Sequence, residues 1–250
     1  MKSRALITGA STGIGYAYAK HLSKDGWILD LISENAERSI RSEKRLDYPD
    51  ANFYRADLSK KSSIKEIIYN HETPDLIVAN AGIAINGPIG KLNESQKEDA
   101  YYLMCGGIID LIEGFAPKMI KRGTGRIVII SSIGAITAMP KSSIYSSAKA
   151  GIYMYGKSIS AELKNKGISV TVSLPGYVET EAHKKAGLEH LKSKVPSWMW
   201  ISSDKVVNQT EKASKNAKSE VIPGIVYKLT KPFLKFSAAI NVWRLITKKN

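Results

Sequence analysis

The sequence predicts an α/β fold in a single domain, with a doubly wound parallel sheet and helices on both of its faces. Short, continuously apolar runs recur along the chain, which is typical of parallel strands buried on both sides. Longer stretches of helix-compatible sequence separate these runs, and neither a long linker nor an internal repeat interrupts the alternation. The predicted strands are Ala5–Ile7, Trp27–Ile32, Asn52–Tyr54, Leu76–Ala79, Ile127–Ile130 and Ile168–Leu174.

The pattern loosens after the sixth predicted strand. We expect loops and helices over residues 181–218 and a last strand at Glu220–Ile222. A terminal helix is predicted over residues 233–246, because apolar residues at spacings of 3, 4 and 3 share one helical face. We interpret residues 181–250 as a substrate lid and a basic, partly amphipathic extension within one domain that covers residues 1–250. The apolar residues of the terminal helix are Phe233, Phe236, Ile240 and Trp243.

Length and composition restrict the class of protein. With 250 residues, 43% of them hydrophobic, the chain can bury one large core. The single cysteine, Cys105, excludes an intrachain disulfide and a cysteine-rich zinc site, and the four scattered histidines predict no metal site. The N-terminus lacks the apolar region of a secretory signal, and no stretch approaches the roughly 20 apolar residues of a membrane span. These features favour a cytoplasmic protein.

The charge of the chain is strongly basic. The net charge is +14, and residues 181–250 hold 14 basic against 5 acidic residues. Such an excess favours acidic partners, such as anionic lipid or phosphate-bearing molecules, or it only keeps copies of the protein apart. Nucleic acid is not predicted as a partner, because no recognised binding motif accompanies the charge.

A glycine-rich turn follows the first predicted strand and precedes a predicted helix. In this order, glycines let the backbone approach a pyrophosphate, and the unpaired N–H groups of the helix N-terminus face it. The other interpretation of such a turn is a plain tight connection between strand and helix. The candidate cofactor-binding residues of the turn are Thr8, Gly9, Ser11, Thr12, Gly13, Ile14 and Gly15.

A second constellation consists of Ser132, Tyr145 and Lys149. Tyr145 and Lys149 are four residues apart, so on a helix they lie on one face. A nearby ammonium favours the phenolate and lowers the tyrosine pKa from about 10, which suits a general acid–base. Ser132 follows the fifth predicted strand, at the sheet edge where ligands bind. By itself the Tyr–Lys spacing also fits an exposed helical pair.

Together these residues resemble the short-chain dehydrogenase/reductase family over residues 4–180. The resemblance implies a Rossmann-type fold that binds NAD(H) or NADP(H) and transfers hydride between the nicotinamide and a carbonyl or alcohol. It implies that Tyr145 exchanges the substrate proton, that Ser132 orients the carbonyl, and that Lys149 lowers the tyrosine pKa and holds the nicotinamide ribose. Further matching residues are Asp57 and Leu58 at the adenine, Asn80, Ala81 and Gly82 at the central strand and cofactor, and Pro175, Gly176, Val178 and Thr180 at the nicotinamide end.

One position departs from the family pattern. Many members carry an asparagine in the helix before the fifth strand, where it supports a water-mediated proton relay from the lysine. Spacing places that position at about Met104, and no asparagine is nearby. The departure keeps a second hypothesis open, a catalytically weak dinucleotide-sensing or scaffolding protein.

The coenzyme is expected to be distinguished at the end of the second strand. Our alignment puts Ile32 where relatives that bind NAD carry an acid, and Ser33 where relatives that bind NADP carry an arginine. Ser33 can hydrogen-bond a 2′-phosphate, with Arg38 close enough to help, whereas Glu34 opposes it by repulsion. We therefore predict that NADP(H) is preferred over NAD(H).

The substrate side is predicted from apolar residues late in the chain. Trp198, Met199 and Trp200 form either a lid over an apolar or acyl-type carbonyl or alcohol substrate, or part of the domain's own packing. The terminal segment suits peripheral contact with an anionic membrane, and docking on its own domain or a second subunit is the alternative. The resemblance also implies a homo-oligomer, a dimer or tetramer, for which the apolar stretch Asp99–Ile120 is suited.

Overall fold

Seven parallel strands form the central sheet. The protein's structure, a computed structural model, describes residues 2–35, 41, 42, 44, 46, 48–180 and 195–233. All six pairings between neighbouring strands are parallel. The strands of this sheet are β1 Arg4–Thr8, β2 Ile28–Ser33, β3 Ala51–Arg55, β4 Leu76–Ala79, β5 Gly125–Ile130, β6 Ile168–Ser173 and β9 Glu220–Val221. The predicted parallel sheet and its late seventh strand are thus confirmed.

The order of the strands places a ligand crevice. Across the sheet the strands run β3-β2-β1-β4-β5-β6-β9, so the order reverses between β1 and β4. In open α/β sheets, ligands bind outside the carboxyl ends of the strands at such a reversal. The loops that follow β1 and β4 therefore form the centre of the crevice.

Helices cover both faces of the sheet. The helices are α1 Gly13–Lys24, α2 Lys61–Asn70, α3 Glu94–Tyr101, α4 Gly107–Arg122, α5 Ser143–Leu163, α6 Ser203–Lys215 and α7 Ile225–Thr230. Successive strand residues point to opposite faces. On one face Leu6 and Ile127 pack with α2, α4 and α5, and on the other Ile7 and Val128 pack with α1 and α6. This two-sided core confirms the doubly wound, single-domain α/β architecture.

A smaller sheet joins the late part of the chain to the end of the large one. Strands β7 Tyr177–Val178 and β8 Trp200–Ile201 pair in parallel. They belong to a third core cluster with Leu174, Ile222 and Tyr227. Through this cluster, the described part of the chain after β6 packs against the ends of β6 and β9.

Packing bears on one further prediction, and another lies almost wholly outside the described residues. The apolar residues of Asp99–Ile120 that suggested an interface mostly face the core, because Ile108, Leu111 and Phe115 of α4 are buried against the sheet. The predicted terminal helix lies outside the described residues except for its first position, Phe233. Within the described part of the chain, no helix has both the length and the hydropathy required to cross a bilayer.

Candidate active site

A cleft of about 480 Å³ opens at the carboxyl ends of the parallel strands. It brings together predicted residues from seven separate segments of the chain. All predicted site residues line it except Thr8 and Gly15, which lie behind its wall. The lining residues among those predicted are Gly9, Ser11, Thr12, Gly13, Ile14, Ser33, Asp57, Leu58, Asn80, Ala81, Gly82, Ser132, Tyr145, Lys149, Pro175, Gly176, Val178 and Thr180.

The glycine-rich turn forms a close-packed cradle. Gly9 and Gly13 have φ angles of +65° and +59°, a region that glycine enters without steric cost. A Cβ atom at Gly15 would lie 2.3 Å from the carbonyl oxygen of Gly9, so only glycine lets α1 start so near the turn. Thr12 precedes α1 without a side-chain cap, and the first turn of the helix carries no acidic residue. The helix N-terminus therefore presents donors suited to a pyrophosphate, and the cradle fits a dinucleotide.

Thr8 and Asn80 hold this turn against the end of β4. Thr8 Oγ1 accepts hydrogen bonds from the backbone N–H groups of Asn80 and Ala81, at 2.9 and 3.0 Å. In return, Asn80 Nδ2 donates to the carbonyl oxygens of Thr8 and Gly9, at 2.9 and 3.3 Å. Thr8 thus supports the cradle from behind instead of lining the cleft.

Ser132, Tyr145 and Lys149 meet on the opposite wall. Ser132 begins a short 3-10 turn after β5, and its Oγ accepts from the N–H of Gly134 at 3.0 Å. Tyr145 and Lys149 lie on α5, with Lys149 Nζ 6.0 Å from the centroid of the tyrosine ring. Lys149 Nζ donates to the carbonyl oxygen of Ile130 at 3.0 Å, and Ser131 Oγ donates to the carbonyl oxygen of Lys149 at 2.8 Å. The end of β5 therefore anchors both the side chain and the backbone of the lysine.

The predicted direction of the Tyr145 pKa is wrong for this structure. Burial raises the pKa of the Tyr145 hydroxyl, while its hydrogen bond with Ser132 acts in the opposite direction. Lys149 is itself buried, and burial lowers the pKa of its ammonium to about 8. Loss of water is thus the largest cause of the pKa shift of both groups. Tyr145 is a protonated group at neutral pH and a potential proton donor.

Met104 lies where the family resemblance implies an asparagine. It is fully buried in a π-helical turn, Tyr102–Gly106, between α3 and α4. A Cβ atom at Gly82 would contact both Met104 Cγ and Lys149 Nζ, at 3.6 and 3.5 Å, so the two side chains flank the same small space. The lysine ammonium therefore has an apolar neighbour on this side, and its hydrogen bond goes to the backbone of β5.

The end of β2 provides hydroxyl groups and no inward-facing acid. Ser33 is buried, and its Oγ donates to Ser11 Oγ at 2.8 Å. Asp30 points away from the cleft, because Arg4 Nη1 donates to both of its carboxylate oxygens at 3.2 and 3.0 Å. Glu34 lines the cleft at its exposed rim. Arg38, the predicted helper of Ser33, lies outside the described residues.

The segment after β6 closes the far end of the cleft. The N–H of Ile133, next to Ser132, donates to the carbonyl oxygen of Pro175 at 3.0 Å. A Cβ atom at Gly13 would lie 3.1 Å from Thr180 Cγ2, so the segment also reaches the glycine-rich turn.

The loop after β3 brings Asp57 to the cleft. Asp57 Oδ1 accepts hydrogen bonds from the N–H and hydroxyl of Ser59, at 2.9 and 2.7 Å.

The sequence analysis missed part of the cleft lining. Most of the missed residues lie directly beside predicted site residues or strand ends. Their position in the chain could therefore have identified them. Leu103 has no such signal, because only the π-helical turn brings it to the cleft. The missed residues are Asn35, Ala56, Ile83, Ala84, Leu103, Ile130 and Ser131.

The predicted lid segment packs on the end of the large sheet. Val195 and Ile201 are buried, and the Trp200 ring lies 5.3 Å from that of Tyr177, between ring centroids. Trp198 is the exception, with 63% of its surface exposed. The described part of this segment therefore follows the domain-packing interpretation more than that of a lid, and residues 181–194 lie outside the described residues.

Solved structures share this fold. A short-chain dehydrogenase from Sphingobium yanoikuyae in complex with NADPH aligns with a TM-score of 0.81 and 23% identity, covering 96% of this chain and 95% of that one. A gluconate 5-dehydrogenase from Burkholderia cenocepacia in complex with NADP and tartrate aligns with a TM-score of 0.74 and 24% identity, covering 90% and 94%.

Sequence comparison identifies the family. Nodulation protein G of Azospirillum brasilense is 32% identical over 187 residues, which are 71% of this chain and 75% of that protein. A 3-oxoacyl-(acyl-carrier-protein) reductase, FabG, of Chlamydia trachomatis is 29% identical over 187 residues, or 72% and 75%. The family described as short chain dehydrogenase matches residues 3–190. The chain therefore belongs to the short-chain dehydrogenase/reductase family and is an oxidoreductase that uses a nicotinamide dinucleotide.

Proposed function

We propose that the protein is an NADP(H)-dependent carbonyl reductase that interconverts a ketone or aldehyde and an alcohol. One observation carries the proposal: Ser132, Tyr145 and Lys149 line the same cleft as the glycine-rich cradle. A bound nicotinamide would supply the hydride to the carbonyl carbon. The proton for the carbonyl oxygen comes from the protein.

Tyr145 is the group suited to donate that proton. Its raised pKa keeps the hydroxyl protonated at neutral pH, and Ser132 is placed to orient the substrate oxygen towards it. Proton transfer leaves a phenolate on Tyr145. The Lys149 ammonium, with a pKa of about 8, is still mostly protonated at neutral pH and stabilises that negative charge.

The experiment is reduction of a panel of ketones and aldehydes, followed by the loss of reduced-nicotinamide absorbance. Tyr145→Phe should lower kcat by about 1,000-fold, because the general acid is removed, while NADPH still binds. Tyr155→Phe is the matched control, since Tyr155 is on the same helix and its hydroxyl donates to Glu113 at 2.7 Å, outside the cleft lining. Equal rates for the two variants contradict the assigned role.

The preference for NADP(H) rests on the end of β2. Within β2, Asp30 is paired with Arg4 and turned away from the cleft, and the hydroxyl groups of Ser33 and Ser11 can accept or donate to a 2′-phosphate, while the Glu34 carboxylate lies at the exposed rim. Two of the solved structures that share the fold are complexes with NADPH or NADP. The basic net charge also favours the more highly charged coenzyme.

An apolar or acyl-type substrate fits the lining next to the catalytic groups. Ile83, Leu103 and Val178 are among the residues that line the cleft, and such apolar side chains favour a hydrophobic carbonyl compound. A relative at 29% identity is a reductase of 3-oxoacyl groups. Comparing kcat/KM for short and long 3-oxoacyl thioesters tests this assignment; an apolar site should favour the longer chain, and equal values contradict it.

A catalytically weak, dinucleotide-sensing protein is the second candidate. It is favoured by Met104, which puts a thioether near Lys149 where a polar proton relay is implied. Restoring the amide in Met104→Asn distinguishes the two. A weak catalyst should gain turnover, whereas an efficient reductase already has its relay through the backbone of β5.

A peripheral membrane contact is proposed for the C-terminal side. On α7, Ile225 and Leu229 are 71% and 69% exposed, and Lys228 and Lys231 beside them are also exposed. An apolar pair flanked by lysines suits the surface of an anionic bilayer. Co-sedimentation with phosphatidylserine vesicles should fall in an Ile225→Ser/Leu229→Ser double variant; unchanged pelleting contradicts the contact.

We also propose a homo-oligomer, as is frequent in this family. On α5, Met154 is 60% exposed, next to the half-buried Tyr155. Light scattering after size exclusion should give a multiple of 27.4 kDa, and Met154→Glu should shift it towards the single-chain mass.

A further inference from the structure

Tyr227 has no place in the predicted site, yet its hydroxyl joins both strands of the small sheet. Tyr227 is on α7 and only 2% exposed. Its hydroxyl accepts from the backbone N–H of Tyr177 at 3.0 Å and donates to the carbonyl oxygen of Met199 at 2.6 Å. Tyr177 is the first residue of β7, and Met199 immediately precedes β8. One side-chain oxygen therefore fastens the two strands where their pairing begins.

The ring of the same tyrosine lies directly on Gly176. A Cβ atom at Gly176 would be 2.0 Å from Tyr227 Cζ, so any larger residue would push the ring away. Pro175, one residue earlier, accepts a hydrogen bond from Ile133, which follows Ser132. Tyr227 is thus packed against the segment that closes the cleft beside the catalytic wall.

Helix α7 is itself fixed to the domain. The N–H of Gly224, which precedes the helix, donates to Gln209 Oε1 on α6 at 3.1 Å. Gly224 has a φ of +90°, a conformation that turns the chain into α7 and favours glycine. Tyr227 therefore projects from a helix that has its own hydrogen bond to α6.

We infer that Tyr227 is a positioning residue that holds Met199–Ile201 against Gly176–Tyr177 and so fixes Gly176, which lines the predicted nicotinamide end of the cleft. The inference rests on the proposed function, because it assigns the substrate to this end. With both hydrogen bonds in place, β7 and β8 keep one separation, and Gly176 and Val178, on either side of Tyr177, keep their positions in the lining of the cleft. Without them, the ring still covers Gly176, but the two strands separate more easily.

The test compares Tyr227→Phe with Tyr18→Phe. Tyr18 is also fully buried, and its hydroxyl donates to Glu211 at 3.0 Å, so the control removes a buried phenolic hydrogen bond that does not involve the small sheet. In Tyr227→Phe the backbone N–H of Tyr177 loses its acceptor, and its hydrogen exchange should become about tenfold faster. The KM for the carbonyl substrate should rise about fivefold with kcat nearly unchanged, since binding and not proton transfer is weakened. Tyr18→Phe should move neither quantity.

The outcomes separate this inference from the proposed function. Exchange at Tyr177 that stays at the wild-type rate in Tyr227→Phe overturns the inference, as does a KM change no larger than that in Tyr18→Phe. A wild-type protein that reduces no carbonyl compound refutes the proposed function instead, and the exchange rate then decides the structural claim alone. If Tyr227→Phe does not fold, Gln209→Ala loosens the anchorage of α7 and should accelerate exchange at Tyr177 in the same direction; no acceleration overturns the inference.

Discussion

At the scale of single residues, the buried ammonium of Lys149 illustrates how a functional group lowers stability. The pKa of Lys149 falls from 10.5 to about 8 on folding, because burial penalises the charged form. Between these two values the unfolded chain binds more protons than the folded one, so the contribution of this residue to stability rises with pH across that window. Below pH 8 the buried Lys149 ammonium, which the proposed chemistry requires, lowers the free energy of unfolding.

Replacing Lys149 by methionine should therefore stabilise the coenzyme-free protein at neutral pH. The shift corresponds to about 3 kcal/mol, which sets an upper scale for the gain in unfolding free energy. This advantage over the wild type should be complete below pH 8 and vanish by about pH 10.5. Urea titrations over this range measure it, with Lys212→Met, at an exposed lysine, as the control for net charge. A pH-independent difference would show that burial does not shift the pKa of this lysine.

Ser33 is the residue expected to determine the coenzyme. Ser33→Asp places a carboxylate beside the expected 2′-phosphate, where repulsion should weaken NADPH relative to NADH by about tenfold. The ratio of the two dissociation constants, from quenching of tryptophan fluorescence, measures the change. Ser33→Ala is the matched control, since it removes the hydroxyl without adding charge. An unchanged ratio in Ser33→Asp would remove this site from coenzyme selection.

At the scale of elements, the start of α1 shows why a helix is placed where it is. Gly15 belongs to the predicted motif but does not line the cleft; its role is to let the helix approach the carbonyl of Gly9 and the side chain of Asn80. Glycine is therefore required at position 15 by close packing, and not by contact with the coenzyme. It sets the direction of the helix N-terminus, and with it the anion site.

Gly15→Ala should consequently weaken coenzyme binding without a direct contact. The new methyl group would lie 2.3 Å from the Gly9 carbonyl oxygen, so the helix must shift, and the affinity for NADPH should fall by at least about tenfold. Isothermal titration calorimetry measures the loss of affinity for NADPH. Gly87→Ala is the control, because a Cβ atom there meets only ordinary contacts, the nearest at 3.7 Å. Wild-type affinity in Gly15→Ala contradicts the cradle described above.

At the scale of the whole molecule, the cleft collects segments from across the sheet. The loops after β1 to β6 all contribute to its lining. A ligand held there contacts both halves of the doubly wound sheet, so binding is linked to unfolding of the entire domain. The coenzyme that binds more tightly should therefore raise the melting temperature more at equal concentration.

NADPH at about 100 times its dissociation constant should add about 2.7 kcal/mol to the unfolding free energy. For a chain of this length, that corresponds to a rise in Tm of about 5–10 °C. Differential scanning fluorimetry with NADPH and with NADH at equal concentration measures both effects, and we expect the larger shift with NADPH. A larger shift with NADH contradicts the proposed preference.

The sequence by itself determined the features that depend on local chemistry. Strands buried on both faces are continuously apolar, and the glycine-rich turn needs its glycines for φ angles and close approach; both are visible as patterns of neighbouring residues. The order of motifs along the chain also placed Ser33, Asn80, Ser132 and Pro175 after strands whose carboxyl ends meet at one edge. For this reason almost all of the predicted residues line one cleft.

The tertiary structure decided what depends on burial and on contacts between distant segments. The pKa of Tyr145 is raised and not lowered, because the balance between desolvation and a neighbouring charge is a property of the packed site. Asp30 is paired with Arg4 across adjacent strands, and Tyr227 lies on Gly176 although 51 positions separate them. No local pattern encodes such contacts, since they exist only when the chain has closed on itself.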